Sequence, residues 1–370
     1  MAITNNTYLI NSVEEIDSPA LLVFPEIVQQ NIRNAVKITQ MTDCNALRPH
    51  VKTVKSAEPI EMCMAQGIYK FKCSTIAEAE MLGNVGAKDV LLSYQLSRPK
   101  ALRFKELSKK FPSTIFSSLV DNHQSAQILS EVFENRSIPI YIDINIGMDR
   151  TGIKPAHALA LFKHANRLSS IEIVGFHCYD GHISSTDPIA RKASAEEVFS
   201  QLNDLRAKAE RHIDKSLSLV LGGSPTFTFY ANKTNVDCSP GTIFLWDSGY
   251  GNTYPELPFK PAAVVLSRII SIVDERKLCL DLGYKAVASD PPLPRITFPN
   301  IKDYEVVGQY EEHMIVEVPY TSKYKIGDPW LAVPIHICPT VNLYEELIPI
   351  IDGAQQKPWK VIARDRKITI

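Results

Sequence analysis

What the sequence has little of narrows it first. Its seven cysteines (Cys44, Cys63, Cys73, Cys178, Cys238, Cys279 and Cys338) stand singly, their number is odd, and no C-x-x-C occurs. A disulfide framework or a four-ligand structural zinc site needs pairs, so reduced thiols in a cytoplasmic compartment are expected instead. Charge of one sign is missing too: 40 Lys and Arg against 41 Asp and Glu leave a formal net charge of -1. Without a global field, neither nucleic acid nor a membrane surface is an expected partner. No apolar run approaches the length of a membrane span. The opening stretch MAITNNTYLINSVEEIDSP has neither the basic start nor the apolar segment of a signal peptide. What remains is a soluble globular composition, 45% apolar and 22% charged over 370 residues. That length favours two domains, or one large barrel with an appendage.

From about Ser18 to Leu245, short apolar runs alternate with amphipathic ones. Pro25 opens a segment where Ile27, Val28, Ile32, Ala35 and Val36 recur at helical spacing. Strands are expected at 46–52, 69–75, 89–94, 114–120, 138–145, 171–178 and 217–221, and helices at 56–66, 76–82, 157–167 and 193–212. Such alternation implies parallel strands with helices outside. Their number and spacing point to an α/β protein with a (β/α)8 TIM-type barrel over residues 16–246, an open parallel sheet being the competing reading. After Trp246 the texture changes. Pro-rich stretches at 254–261 and 291–299 separate β-branched runs, and helical periodicity almost vanishes. A C-terminal all-β domain over 247–370 is expected, which residues 1–15 could join.

Active sites of such barrels sit where the strands end. The first run ends in Arg48-Pro49-His50-Val51-Lys52-Thr53. A lysine closing a buried apolar strand is unusual, because lysine is almost never buried unpaired. Desolvation there would lower its pKa and make it an imine-forming amine and proton shuttle; a lysine snorkelling to solvent is the alternative. The stretch from Asp143 to Gly152 offers two glycines for a tight turn, and Arg150 presents a planar fork to an oxyanion. Gly222-Gly223-Ser224 and Gly241-Thr242 end later runs. Bare main-chain N–H groups there suit phosphate, although a Gly-Gly turn is as readily only a tight loop.

In one collinear order, R-P-H-V-K-T, D-x-N-x-G-M-x-R-T-G, G-F-H-C-Y-D-G-H, G-G-S-P-T and S-P-G-T resemble the D-threonine aldolase and eukaryotic-type D-serine dehydratase family. These are alanine-racemase-like, fold-type III pyridoxal-phosphate enzymes. The later L-D-L-G-Y-K-A at 280–286, Ser289-Asp290 and Glu311-Glu312-His313 fit as well, so the resemblance covers nearly the whole chain. It implies that Lys52 holds pyridoxal phosphate as a Schiff base, Lys55 being the rival three residues on. It implies that Arg150 approaches the cofactor's phenolic oxygen and that Tyr179 lies near ring and substrate. Gly222, Gly223, Ser224, Gly241 and Thr242 match the phosphate cup, and Tyr250 matches a further phosphate or ring contact. Ser74 stands where some relatives place a cofactor-binding glutamine.

His336 and Cys338, near the end of the β domain, are two residues apart, so on a strand they would share a face and one ion. Imidazole and thiolate suit zinc; an inert thiol on a half-buried strand is the plainer reading. The resemblance supports a divalent metal (zinc, or manganese or magnesium), His-x-Cys matching the dehydratases while the following Pro339-Thr340-Val341-Asn342-Leu343 matches the aldolases. Aldolase relatives carry a histidine beyond the tyrosine as base for the β-hydroxyl. Here Ser184 and Ser185 occupy that neighbourhood, leaving His182 as a substitute base or a loop histidine, while His177 reads as readily as a buried structural residue. The expected activity is retro-aldol cleavage of a small β-hydroxy-D-amino acid to glycine and an aldehyde. Dehydration of D-serine to pyruvate and ammonia, amino-acid racemisation, or a non-enzymatic pyridoxal-phosphate carrier are the alternatives. Relatives form head-to-tail homodimers, which the resemblance extends to this chain.

Overall fold

The alternating apolar runs become eight strands: β1 (Asn45–Leu47), β2 (Lys70–Cys73), β3 (Asp89–Gln95), β4 (Ile115–Val120), β5 (Ile138–Asp143), β6 (Ile171–His177), β7 (Ser218–Leu221) and β8 (Val236–Cys238). In the computed structural model, which describes residues 3–4, 7–40, 45–134 and 136–370, they pair in the order β1-β8-β7-β6-β5-β4-β3-β2. Every pairing is parallel. A parallel bridge between His50 and Lys72 draws β1 toward β2, with Lys72 N–H donating to the Pro49 carbonyl at 2.9 Å. The sheet is thus the expected alanine-racemase-like barrel rather than an open one. Two details differ from expectation. β1 stops at Leu47 rather than 52, because Pro49 has no N–H for a ladder and the chain then enters the 3-10 turn Val51–Thr53. β8 went unforeseen, three residues being too few to display an alternation.

Two layers fill the barrel. Leu91, Leu119, Tyr141 and Val220 form an apolar one. The other is ionic: fully buried Arg48 donates to both oxygens of Asp89 at 2.7 and 2.9 Å and through Nε to Asp237 at 2.9 Å. Lys70 Nζ lies 3.0 Å from the same Asp237. Outside, helix starts carry the caps that their sequences supply. Thr75 accepts from Glu78 N–H, and the Glu78 carboxylate reaches back to Ser74 N–H at 2.7 Å, a variant of the capping box. Asp187 caps the helix Pro188–Glu210.

The barrel unit comprises Arg33–Lys52, Ile60–Gly241 and Asp365–Ile370. Its last segment returns to a helix of the barrel: the buried Glu80 carboxylate accepts from Lys110, from the Thr369 hydroxyl and N–H, and from Ile370 N–H. The second unit comprises Met1–Ile32, Thr53–Pro59 and Thr242–Arg364. Its sheet runs in the order Glu305–Gln309, Met314–Glu317, Lys277–Leu280, Ala263–Ile272, Ala20–Val23, Glu346–Ile351, Ala354–Gln355, with Pro329–Pro334 also paired to Ala263–Ile272. Ala20–Val23, grouped by sequence with the barrel, is therefore a strand of this other sheet, and the division is discontinuous rather than a single cut after Trp246. Tyr8, Ile10, Val13, Leu22, Val264 and Leu331 belong to its core.

Six cysteines are unbridged; Cys44 lies outside the described residues. Among the described residues no helix is long and apolar enough to cross a membrane. Replacing Arg48 with Ala would strand two carboxylates of the barrel interior, and urea unfolding should register a loss of about 3–5 kcal/mol.

Candidate active site

Beyond the ends of β1, β2, β3 and β5 lies a cavity of about 660 Å³, lined by His50, Lys52, Ser74, Gln95, Arg150 and Thr151 among others. Lys52 is half-buried, and rather than closing a strand it sits in the 3-10 turn, its N–H donating to His50 Nδ1 at 3.2 Å. Its ammonium forms no ion pair among the described residues. The rival Lys55 adopts a left-handed φ of 52° and donates from Nζ to the Ala363 carbonyl at 3.4 Å. Ser74 gives its hydroxyl proton to Glu78 at 3.1 Å, which leaves its oxygen lone pairs as acceptors toward the cavity.

Asp143, at the end of β5, organises the wall. It is 3% exposed. One oxygen faces His177 Nδ1 at 2.7 Å; the other accepts from Thr151 at 2.8 Å and Gln95 at 2.9 Å. Gln95 also donates to Asp121, which accepts from Gly152 N–H. Burial works to raise the Asp143 pKa, but His177, Thr151 and Gln95 outweigh it and hold the carboxyl below its ordinary range. Burial likewise depresses the His177 imidazole despite Asp143. A neutral His177 donating from Nδ1 turns its Nε2 lone pair toward Lys72 Nζ, 3.5 Å away. Lys72 was missed by sequence reasoning. The available signal was the K-F-K-C alternation of β2, which puts Lys70 and Lys72 on one face, and that face is the barrel interior.

Arg150 and Tyr179 come together, the guanidinium lying 4.8 Å from the ring centroid. The next residue, Asp180, is buried and accepts from Gly223 N–H at 2.8 Å and from the Tyr230 hydroxyl at 2.9 Å. Gly223 N–H is therefore already occupied, and the Gly-Gly turn offers an anion fewer donors than its sequence suggests. Gly222 is a glycine by necessity: its φ is +86°, and a Cβ would lie 2.9 Å from Phe227 Cα. Gly241 N–H faces Ser224 Oγ at 3.3 Å.

His182 is not part of this cavity. It is exposed and lines a separate one of about 340 Å³ with Ser184, Ser185, Glu197 and Gln201. Buried Ile183, whose N–H donates to the Asp180 carbonyl, anchors the turn and sends its neighbour outward. The base that the family resemblance placed there therefore lines a different cavity from Lys52.

In the second unit, His336 and Cys338 are not on a strand. Pro329–Pro334 ends before them, His336 precedes the one-turn helix Ile337–Val341, and Cys338 lies inside it. The turn still brings the two side chains into hydrogen-bond contact. That contact, ahead of the one from Asp290, pushes the imidazole up to about 9 against the effect of burial. Asp290 meets His336 Nδ1 at 2.5 Å, and Cys338 Sγ lies 3.0 Å from Thr53 Oγ1 and 3.7 Å from Thr242 Oγ1. Buried Asp247 accepts from Ile337 and Tyr250 N–H groups, burial pushing it up to about 6. The Tyr250 ring packs against Trp246 with centroids 5.2 Å apart and the planes tilted by 37°. No group of three or more His, Cys, Asp or Glu positioned for a metal occurs among the described residues.

The family model of the alanine racemase N-terminal domain matches residues 26–245, more than half of the chain, and the chain belongs to that family. The model of a putative serine dehydratase domain matches residues 262–350. Among curated relatives, D-threonine aldolase of Arthrobacter sp is 24% identical, over 94% of this chain and 93% of the relative. The 3-hydroxy-D-aspartate aldolase of Paracoccus denitrificans is 23% identical, over 95% and 93%. The crystal structure of D-threonine aldolase from Filomicrobium marinum superposes with a TM-score of 0.85 at 25% identity, covering 95% of this chain and 96% of that one. D-threo-3-hydroxyaspartate dehydratase from Delftia sp. shares the fold, with a TM-score of 0.80 at 20% identity over 93% and 97%.

The two glycines after β7 should behave differently. Gly222→Ala is expected to cost about 1–3 kcal/mol in urea unfolding. Gly223→Ala, where a Cβ meets nothing closer than 3.5 Å, should stay within roughly 1 kcal/mol of the parent.

Proposed function

We propose that this chain is a pyridoxal-phosphate-dependent lyase of β-hydroxy-D-amino acids that cleaves the Cα–Cβ bond in the retro-aldol sense, releasing glycine and an aldehyde. The observation that carries this reading is the cavity at the barrel rim with Lys52 in its wall, in a chain whose full-length relatives include D-threonine and 3-hydroxy-D-aspartate aldolases. Its volume of about 660 Å³ falls in the range of cofactor and small-molecule sites. The residues present fit the cofactor. Lys52 is the amine that would hold it. Arg150, stacked on Tyr179, brings the cation for its ring oxygen, and Ser74 offers acceptors. The main chain at Gly222, Ser224 and Gly241 would face its phosphate. Bound there, pyridoxal phosphate supplies an electron sink for negative charge developing at Cα. The protein's own part is preorganisation. Asp143 keeps His177 in one tautomer, and Gln95 and Thr151 fix the ends of β3 and β5 so that the wall need not rearrange during the reaction.

His336 and Cys338 would supply imidazole and thiolate to a divalent metal, a set that suits zinc, with Asp290 orienting the imidazole from behind as carboxylates do for metal-bound histidines. Two protein ligands leave positions open, as a catalytic rather than a structural metal requires. Such an ion lowers the pKa of a hydroxyl bound to it, which serves either lyase outcome. Dehydration is the second reading. It is favoured by the serine dehydratase domain match, since residues 262–350 contain both His336 and Cys338.

Incubation with D-threonine separates the two: acetaldehyde with glycine is expected, and 2-oxobutanoate as the main product would replace the aldolase reading with the dehydratase one. Lys52→Ala should abolish both the absorption of the bound cofactor and turnover, by at least about 1,000-fold. A chelator should silence the enzyme and added zinc or manganese restore it; turnover indifferent to chelation would sink both lyase readings in favour of racemisation. The homodimer belongs to the same proposal, and sedimentation at micromolar protein should return twice the chain mass.

A further inference from the structure

A third cavity, of about 230 Å³, lies on the outer side of the barrel rim and plays no part in the proposed reaction. Its floor is apolar. Leu92 and Tyr94 alternate along β3 with Leu91, which fills the barrel, so they face outward toward the helices Ile76–Asn84 and Arg98–Lys110. Ile76, Leu92 and Leu96 are buried there. Over this floor stand three cations, Lys100, Arg103 and Arg366, and no Asp or Glu is among the lining residues. Lys100 and Arg103 are three residues apart on one helix and so share a face. Arg366 arrives on the returning segment 365–370, whose main-chain oxygens at Arg366 and Ile370 accept from Arg103 Nη2 at 3.2 and 2.5 Å. One nitrogen is left over. Arg103 Nε is buried and has no hydrogen-bond partner among the described residues. A buried donor without an acceptor is costly, so its retention points to an acceptor that the chain does not supply. Lys100 Nζ lies 4.0 Å from the centroid of the Tyr94 ring, a contact that engages its charge but not its hydrogen-bond donors. The acid behind Ser74, Glu78, accepts from the Ser74 N–H and hydroxyl.

We propose that this cavity is a second ligand site, which takes a small organic acid: a carboxylate held by Arg103, Lys100 and Arg366, on an apolar body of a few carbons packed against Ile76, Leu92 and Leu96. The planar fork of arginine matches the two oxygens of a carboxylate, and Arg103 Nε is the donor that waits for one of them. Volume sets the size of the ligand. About 230 Å³ falls below the range of drug-sized sites, so a short chain or a single ring fits and a nucleotide does not. The apolar floor favours an acid with a hydrocarbon body over a bare inorganic oxyanion, which leaves that surface uncovered. Ser74 and Tyr94 line this cavity and that of Lys52 alike, so the acid binds against the outer side of the active-site wall. Binding is by contact alone, with no bond made or broken.

The inference does not depend on Lys52 as the cofactor lysine, and calorimetric titration of the full chain tests it without reference to turnover. The probe is 4-methylpentanoate, a carboxylate on a short branched body. It should bind at one site per chain with a Kd of about 1 mM, and several-fold more weakly once ionic strength is raised from about 0.05 to about 0.5 M. The uncharged 4-methylpentan-1-ol should bind at least about tenfold more weakly, and so should acetate, which has the head without the body. Arg366 is exposed and holds nothing in place with its side chain among the described residues, so Arg366→Met should fold as the parent does. It should weaken the acid roughly fivefold, and Lys100→Met should do the same. Saturating D-alanine, an amino acid with no β-hydroxyl to lose, should leave the titration unchanged. Displacement by D-alanine, or undiminished binding by both variants, places the acid in the Lys52 cavity and overturns the proposal. Absence of binding at about ten times the expected Kd overturns it as well. Equal affinity for the alcohol, or tighter binding of inorganic phosphate than of the acid, overturns the class of ligand. The competition and alcohol arms use the unaltered protein and decide the matter even where a variant fails to fold.

Discussion

The barrel depends on one buried guanidinium. Between β1 and β2 the sheet is joined by little more than the His50–Lys72 bridge, the weakest stretch of its circumference. Arg48 sits at that seam and binds Asp89 of β3 and Asp237 of β8, while Lys70 of β2 shares Asp237. Four strands around the seam are therefore held by charge where ladder hydrogen bonds are few. Such a cluster offsets its desolvation only when every partner is in place. Position follows from this. Lys52 is four residues beyond Arg48, and the turn that presents it begins where the cluster ends.

Above the ionic layer, the rim separates support from exposure. Asp143, His177, Gln95 and Asp121 spend their hydrogen bonds on one another, on Thr151 and on Gly152, fixing the ends of β3 to β6. Lys52 and Tyr179 are half-buried and Arg150 is exposed. Groups that act in a site gain from being held by neighbours whose own rotamers are locked; Arg150 and Tyr179 follow the strands β5 and β6 that end in Asp143 and His177, whereas Lys52 follows β1.

Much of this was legible in the residues. Alternation of apolar runs placed seven of the eight strands, because a parallel strand buried on both faces reads as a continuous apolar run. The family motifs singled out Lys52, Arg150 and Tyr179 by position. What stayed hidden has physical causes. A three-residue strand such as Val236–Cys238 carries too little pattern. Ala20–Val23 is as apolar as any barrel strand, and only its partners, Ala263–Ile272 and Glu346–Ile351, reveal the sheet it serves. The family resemblance put His182 near the substrate, whereas that histidine, beside the buried Ile183, lines another cavity. His336 and Cys338 were reasoned onto a strand and meet instead across a helix start. Lys72 was missed although the K-F-K-C alternation of β2 puts it on the same face as Lys70, because a lysine in a strand reads by itself as an edge.

The return of the last segment to the barrel carries a consequence for the order in which the molecule can be completed. Glu80 belongs to an early helix, yet its buried carboxylate is satisfied by residues 369 and 370 as well as by Lys110. During synthesis that carboxylate is made some 290 residues before those partners, and all of the second sheet except Ala20–Val23 is translated in between. An otherwise finished barrel must wait, with one acidic group short of donors, for the chain to come back. Residues 369 and 370 thus work as a latch that closes after that sheet is made, and a nascent chain arrested before them is distinguishable at Glu80.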